Sequence, residues 1–247
     1  MSLKLLQPSW NAPQSIRAFC TTRVGGFSRA PWDSFNLALH VKDELSAVNE
    51  NRCLLQESTE LPNPRWLTQT HSTKVIEHST GLIDADGCFT TELKKSCIVM
   101  TADCLPVLFC NEEGSWVAAT HAGWRGLLDG ILSQTVGTYH QQSKLLAWIG
   151  PAISQQYFEV GSEVREKFVD KNSSFEAYFQ AKPGQKWLCD MVGIAKYELE
   201  ALGVEVFESN LCTYHNHQDF FSHRRATHQQ DHGATTGRMA SVIWIEQ

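Results

Sequence analysis

The stretch CIVMTADCLPVLFC (97–110), followed after a short turn by WVAATHAGWRG (116–126), decides the architecture. Cys97 to Met100 is a short apolar run, Thr101-Ala102-Asp103-Cys104 a small polar break, and Leu105 to Cys110 a second apolar run. Asn111 to Gly114 carries turn residues, and Trp116 to Thr120 is a third run. Runs of this length bounded by turn signals read as buried strands. The third run ends in His121-Ala122-Gly123-Trp124-Arg125-Gly126. Beyond it Leu127, Leu128, Ile131 and Leu132 recur at helical spacing. A strand that passes through a glycine-bearing loop into a helix is a common place for a site, because small residues let a ligand approach the backbone.

Outward from this block, Ile16 to Thr22 reads as a strand broken by Gly25-Gly26, and Ser241 to Ile245 as a closing strand. Residues 43–57 place Leu45, Val48, Cys53, Leu54 and Leu55 among charges, which predicts an amphipathic helix. Residues 160–169 and 190–202 predict two more. Trp66 to His71 and Val75 to His78 read as a short hairpin-like pair. Strands and helices intermix without βαβ regularity, so the expected class is α+β, with mixed sheets in layers and helices outside. With no internal repeat and no Ser/Gly/Pro-rich linker, 1–247 is expected to be one domain.

Hydrophobic residues make up 42% of the chain and charged ones 19%, enough for a sizeable core and no case for disorder. The formal net charge of −6 argues against a nucleic-acid binder that needs a basic surface. No apolar run approaches the ~20 residues of a membrane span. Nor does the N-terminus read as a signal peptide, since Pro8, Trp10 and Pro13 interrupt it. The expectation is a cytoplasmic protein, monomeric or a small homo-oligomer, with no membrane partner. Its eight cysteines then read as thiols, buried or metal-bound, and the absence of a CxxC pair speaks against a closed zinc knot.

His71, Cys104 and His121 each end a strand candidate beside a polar or glycine-bearing turn. Two imidazoles and a thiolate suit zinc with a fourth tetrahedral position for water or substrate, the pattern of catalytic rather than structural sites. Copper suits the same donors. Taken singly, a cysteine between apolar runs is more often a core thiol and a lone histidine a surface group, and the separations match no short metal motif. Residue chemistry alone leaves those readings open.

WLTQTH (66–71), TADCLPVLFC (101–110), THAGWRG (120–126) and the ending FFSHRR…TGRMAS resemble the YfiH-type family, also labelled multicopper polyphenol oxidase or laccase-domain. TTRVGGFS (21–28), SFNLALH (34–40), NENR (49–52), DADG (84–87) and IGPAI (149–153) extend the resemblance over nearly the whole chain. It implies metal ligands at His71, Cys104 and His121. It also implies zinc-dependent phosphorolysis of adenosine, inosine, guanosine and methylthioadenosine, deamination of adenosine, and a layered fold shared with toxin-like cysteine hydrolases. Two places depart from the pattern: Lys42-Asp43 after the NL segment, and the extra residues ATHQQDHGAT (226–235) with His228 and His232.

For the chemistry so implied, Asp103 is a candidate proton shuttle or partner of a ligand histidine, with capping of a turn as the plainer role. Zinc in such a site would acidify water for attack on C6 of adenine. Arg125 is the first choice for anion or substrate contact, since a guanidinium pairs with phosphate bidentately. Arg23, Arg224, Arg225 and Arg238 follow. Trp124, Phe27, Phe35 or Tyr214 would offer a purine a flat face, and Asn36 and Gln69 would reach sugar hydroxyls. The rival readings are a copper oxidase, a Cys–His hydrolase and a pure binding module. For the oxidase the histidines supply one His-x-His pair, His215 and His217, with His78 and His140 outside any matched motif. The hydrolase would use Cys104 as nucleophile and His121 as base, and would extend to editing of cell-wall precursors.

Overall fold

The computed structural model describes residues 3–229 and 235–247; His232 lies outside them. The three apolar runs become three strands at the centre of two stacked sheets. In chain-order numbering, the first sheet runs β1 (Leu5–Leu6), β2 (Ile16–Thr21), β14 (Met239–Ile245), β6 (Ser96–Thr101), β3 (Pro64–Arg65). The second runs β13 (Glu205–Glu208), β9 (Leu145–Ile149), β7 (Leu105–Asn111), β8 (Val117–Ala122), β5 (Gly87–Thr90), β4 (Val75–Glu77). A small third sheet joins β10 (Glu159–Gly161), β12 (Lys186–Cys189) and β11 (Phe179–Lys182). Both large sheets are mixed: β3 pairs with β6 and β4 with β5 in parallel, while β7 is antiparallel to both neighbours.

Side-chain alternation sorts the core into layers. Cys97 and Val99 of β6 join Leu108 and Cys110 of β7, Val117 and Ala119 of β8 and Ile243 of β14 between the two sheets. Ile98, Met100, Val242 and Trp244 face the other way, onto Leu55 of α1 (Leu45–Thr59). On the far side of the second sheet, Val107, Phe109, Ala118 and Ala147 pack with residues of α2 (Trp124–Asp129), α3 (Ile131–Gly137), α4 (Ser162–Lys171) and α5 (Met191–Ala201). The result is helix, sheet, sheet, helices: the α+β class read from the sequence. Each fully buried Leu, Ile or Val contributes about 1.5–3 kcal/mol by leaving water. A final short helix, α6 (His223–Gln229), carries His228. Among the described residues no helix is long and apolar enough to cross a membrane.

Three local expectations change. Trp66 to His71 and Val75 to His78 do not form a hairpin: β3 stops at Arg65 in the first sheet, and β4 belongs to the second. The reason is that the amides of Thr70, His71 and Ser72 donate to the Asp86 carboxylate, so no hairpin ladder is left to them. The helix expected over 127–132 is two, α2 and α3, parted by Gly130 at φ 93°, a conformation that favours glycine. The helix expected over 160–169 begins at Ser162, because Glu159–Gly161 pairs with β12.

The chain leaves the first sheet at Thr101 and enters the second at Leu105. Ala102-Asp103-Cys104 is thus the crossover at one end of the sandwich.

Candidate metal centre

Cys104 sits on that crossover, and Asp103 fixes it. Asp103 adopts φ 93°, uncommon for a residue with a Cβ, and is held there from three sides. Its carboxylate accepts from Thr213 Oγ1 at 2.7 Å and from the Arg224 amide at 2.6 Å, and its carbonyl accepts from the Ile153 amide at 2.9 Å. With both carboxylate oxygens so engaged, Asp103 anchors the turn, the plainer of the two roles open to it.

His121 is the penultimate residue of β8, opposite Pro106, and only 4% exposed. His71 lies in the loop before β4 at φ 61°, exposed to solvent. One carboxylate orders both. Asp86, wholly buried, accepts from His121 Nδ1 at 2.8 Å and the His71 amide at 3.0 Å through Oδ1. Through Oδ2 it accepts from Ser72 N at 2.6 Å, Ser72 Oγ at 2.7 Å and Thr70 N at 3.2 Å. A carboxylate accepting from Nδ1 places the proton on that nitrogen and leaves the Nε2 lone pair of His121 for a metal. Asp86 belongs to the DADG segment, but it lies 35 positions before His121, and no spacing rule connects the two.

The ligand atoms of His71, Cys104 and His121 lie within 4.8 Å of one another, with His71 Nε2 3.8 Å from Cys104 Sγ. Tetrahedral zinc with its usual bond lengths separates such donors by roughly 3.4–3.6 Å, so small rotations suffice to close the set on an ion. The two imidazoles meet edge to face, 4.8 Å between centroids. Gly123 makes the approach sterically feasible: a Cβ there would stand 2.6 Å from His71 Cδ2 and 3.1 Å from Cys104 Sγ. Donor chemistry, mutual distance, oriented tautomer and cleared space all fit a divalent metal.

Electrostatics agree. Burial pushes the Cys104 thiol up, but the opposing His121 charge and hydrogen bonds from His121 and His71 bring it down to about 6. Burial pushes His121 down, yet Cys104 and Asp86 raise it to about 9. Burial also opposes the charge on Asp86, and the His121 and Ser72 hydrogen bonds prevail, holding it at about 2. The thiol is therefore readily available as thiolate, the form that binds metals or attacks carbon.

The trio opens into a cavity of about 390 Å³, within the range of small-molecule sites. Trp124, Arg125, Arg224 and Arg238 line it, with apolar Met100, Ile153, Phe158 and Met191. Arg125 stacks on the Trp124 ring at 4.4 Å. Gln69 also lines it, but both ends of its amide are bound to Met100, accepting from the amide and donating to the carbonyl. Other candidates are elsewhere. Asn36 is fully buried and pins Ala38, Asp43 and the Arg238 amide. Arg23 pairs with Asp33, and Arg225 donates to the carbonyls of Thr213, Tyr214 and Phe220. Phe35 is core, Phe27 is exposed, and Tyr214 stacks on Tyr157 at 4.4 Å. His40 and His223, not singled out from sequence, stand on the cavity wall. An isolated histidine carries no spacing signal that could have flagged them.

Fold and site together define an α+β protein in which, among the described residues, a His–Cys–His group able to hold a metal gathers beside a sheet crossover. The sequence pattern of the family described as "Multi-copper polyphenol oxidoreductase laccase" matches residues 17–246. A purine nucleoside phosphorylase of Haemophilus influenzae is 47% identical over 99% of this chain and 100% of its own length. The purine nucleoside phosphorylase YfiH of Escherichia coli is 43% identical over 98% and 99%. Among solved structures, a Neisseria meningitidis protein of the DUF152 family superposes with a TM-score of 0.91 at 40% identity, covering 98% of this chain and 99% of that one. A Bacillus licheniformis protein YfiH gives 0.86 at 28% identity over 94% and 93%. The chain belongs to this laccase-domain, YfiH-type family.

Proposed function

We propose that this chain is a zinc-dependent purine nucleoside phosphorylase that also deaminates adenosine. The observation that carries the reading is the His71–Cys104–His121 group at the wall of a cavity lined by three arginines and a tryptophan. The names of the relatives at 43–47% identity support it. An N₂S donor set suits zinc, although affinity alone favours copper. The bound ion would supply Lewis acidity to a substrate oxygen or to water.

The protein's own groups do the rest. Trp124 offers a flat apolar face to the purine. The Arg125 guanidinium, with no hydrogen-bond partner among the described residues, presents its charge to the substrate. In phosphorolysis a phosphate oxygen bonds to the ribose C1′ as the bond from C1′ to the base nitrogen breaks. The electron pair leaves with the base, which takes a proton. Positive charge growing at C1′ is matched by the phosphate, which arginine holds in place. In deamination water replaces the C6 amino group of adenosine, giving inosine and ammonia. Adenosine, inosine, guanosine and methylthioadenosine are the expected nucleosides, and the cytoplasm the expected compartment. Incubation of the zinc-loaded protein with adenosine and phosphate tests this. Adenine with ribose-1-phosphate, and inosine with ammonia, are read separately. Absence of both product pairs from metal-loaded protein sinks the reading.

One observation favours a second reading. Without metal, Cys104, His121 and Asp86 line up as thiolate, imidazolium and carboxylate, the arrangement of a cysteine hydrolase. That enzyme would survive chelation and die rapidly with iodoacetamide; the zinc enzyme reverses that order.

A further inference from the structure

Three arginines line the cavity against one acidic residue, Asp103, both of whose carboxylate oxygens already accept hydrogen bonds within the protein. The three are not equivalent. Arg224 is tied back by the carbonyls of Tyr157 and Glu159 and lies over Phe158. Arg125 leans on Trp124. Arg238 is held by one nitrogen only: Nη1 donates to the carbonyls of Thr236 and Gly237 at 2.8 and 3.0 Å, and Nε and Nη2 have no acceptor among the described residues.

The fold aims that free edge. Met239 pairs with Thr101, which sets Arg238 beside Ala102 at the crossover bearing Cys104. Its amide donates to Asn36 Oδ1 and its carbonyl accepts from the Leu37 amide, binding it to the loop that carries His40. His223 begins the helix whose next amide, Arg224 N, donates to Asp103. Three segments remote in sequence thus converge, bringing the unpaired Nε–Nη2 edge of one guanidinium and two imidazoles with no side-chain hydrogen bond among the described residues. Desolvation in the cleft and the Arg238 charge lower the proton affinity of both histidines. Donors gathered without acceptors call for an anionic ligand.

We propose that Arg238, flanked by His40 and His223, forms an oxyanion subsite for inorganic phosphate beside the metal trio. This rests on the phosphorolysis reading and deepens it: Arg238 takes the phosphate, while Trp124 and Arg125 take the nucleoside. The free Nε–Nη2 edge is the bidentate face of a guanidinium, matched to two oxygens of one phosphate.

The test is direct binding of inorganic phosphate to zinc-loaded protein, by calorimetry and ³¹P line broadening, with no turnover needed. Arg238→Gln is expected to weaken phosphate binding about tenfold or more, the loss of a charge-assisted pair. Because Nη1 also binds carbonyls, a His40→Gln/His223→Gln double variant serves as a second probe. It should weaken phosphate several-fold with an unchanged melting temperature. Lys167→Gln, removing an exposed charge away from the cavity, should leave the affinity alone. In phosphorolysis, Arg238→Gln should raise KM for phosphate far more than KM for inosine. Wild-type phosphate affinity in folded Arg238→Gln and in the double variant overturns the subsite, as does failure of the wild type to bind phosphate. Phosphate bound through Arg238 with no phosphorolysis of any nucleoside upholds the subsite and removes the phosphorylase reading instead.

Discussion

Replacing Asp86 with asparagine changes one oxygen to an amide nitrogen, and both ways of placing that amide cost a ligand. With its oxygen towards Ser72 and Thr70, the new NH₂ meets Nδ1 of His121 where Oδ1 accepted at 2.8 Å. The imidazole must then shift its proton to Nε2, and the lone pair meant for the metal is lost. With its oxygen towards His121, the NH₂ faces the amides of Ser72 and Thr70, donors against donors, and the left-handed turn at His71 loses its support. Loss of such an outer partner typically weakens metal binding 10–100-fold, or about 1.4–2.7 kcal/mol. The full burial of Asp86 puts the expectation towards the upper end. Competition with a chromophoric chelator measures the zinc affinity of Asp86→Asn and wild type, and circular dichroism verifies that both are folded. Zinc affinity within twofold of wild type in a folded variant would refute the claim that this carboxylate orients the site.

Gly123→Ala should lose zinc affinity at least tenfold while keeping its secondary structure, since the added Cβ meets His71 and Cys104 rather than the core; metal content after dialysis checks this. In metal-free protein, alkylation of Cys104 by iodoacetamide should rise with pH through a midpoint near 6, because the thiolate forms as pH climbs past its pKa. A midpoint near 9 would show that His121 and His71 do not stabilise the thiolate, and bound zinc should suppress the reaction at every pH. Leu108→Ala, fully buried between the two sheets, should cost about 2–5 kcal/mol, read as a drop in denaturant midpoint. A cost under 1 kcal/mol would mean the sandwich core is not packed as described.

Much of this was legible beforehand, for physical reasons. Runs such as Cys97 to Met100 and Leu105 to Cys110 are apolar at every position because both faces of their sheets are covered, and such strands announce themselves. The His71, Cys104 and His121 trio came from the resemblance of its motifs to a family, because residue chemistry alone leaves a core thiol and surface histidines open. What stayed hidden is whatever depends on backbone conformation rather than residue type. The hairpin expected around His71 gives way to a turn wrapped on the Asp86 carboxylate, and a side chain that captures three successive amides leaves no periodic trace. Asn36 and Gln69 look like sugar-binding amides in sequence, yet their hydrogen bonds are taken up within their own chain, by backbone groups and, for Asn36, the Asp43 carboxylate as well. Arg23 and Arg225 brace loops for the same reason: a guanidinium is as suited to carbonyls as to phosphate.

The proposed activity requires His71, Cys104 and His121 to hold one catalytic ion. The most direct measurement is metal content paired with nucleoside turnover in wild type and Cys104→Ala, both purified metal-free and reloaded with zinc. One equivalent of zinc with activity in the wild type, and neither in the variant, is the expected result. A folded Cys104→Ala protein that keeps one equivalent of zinc and full turnover would contradict it.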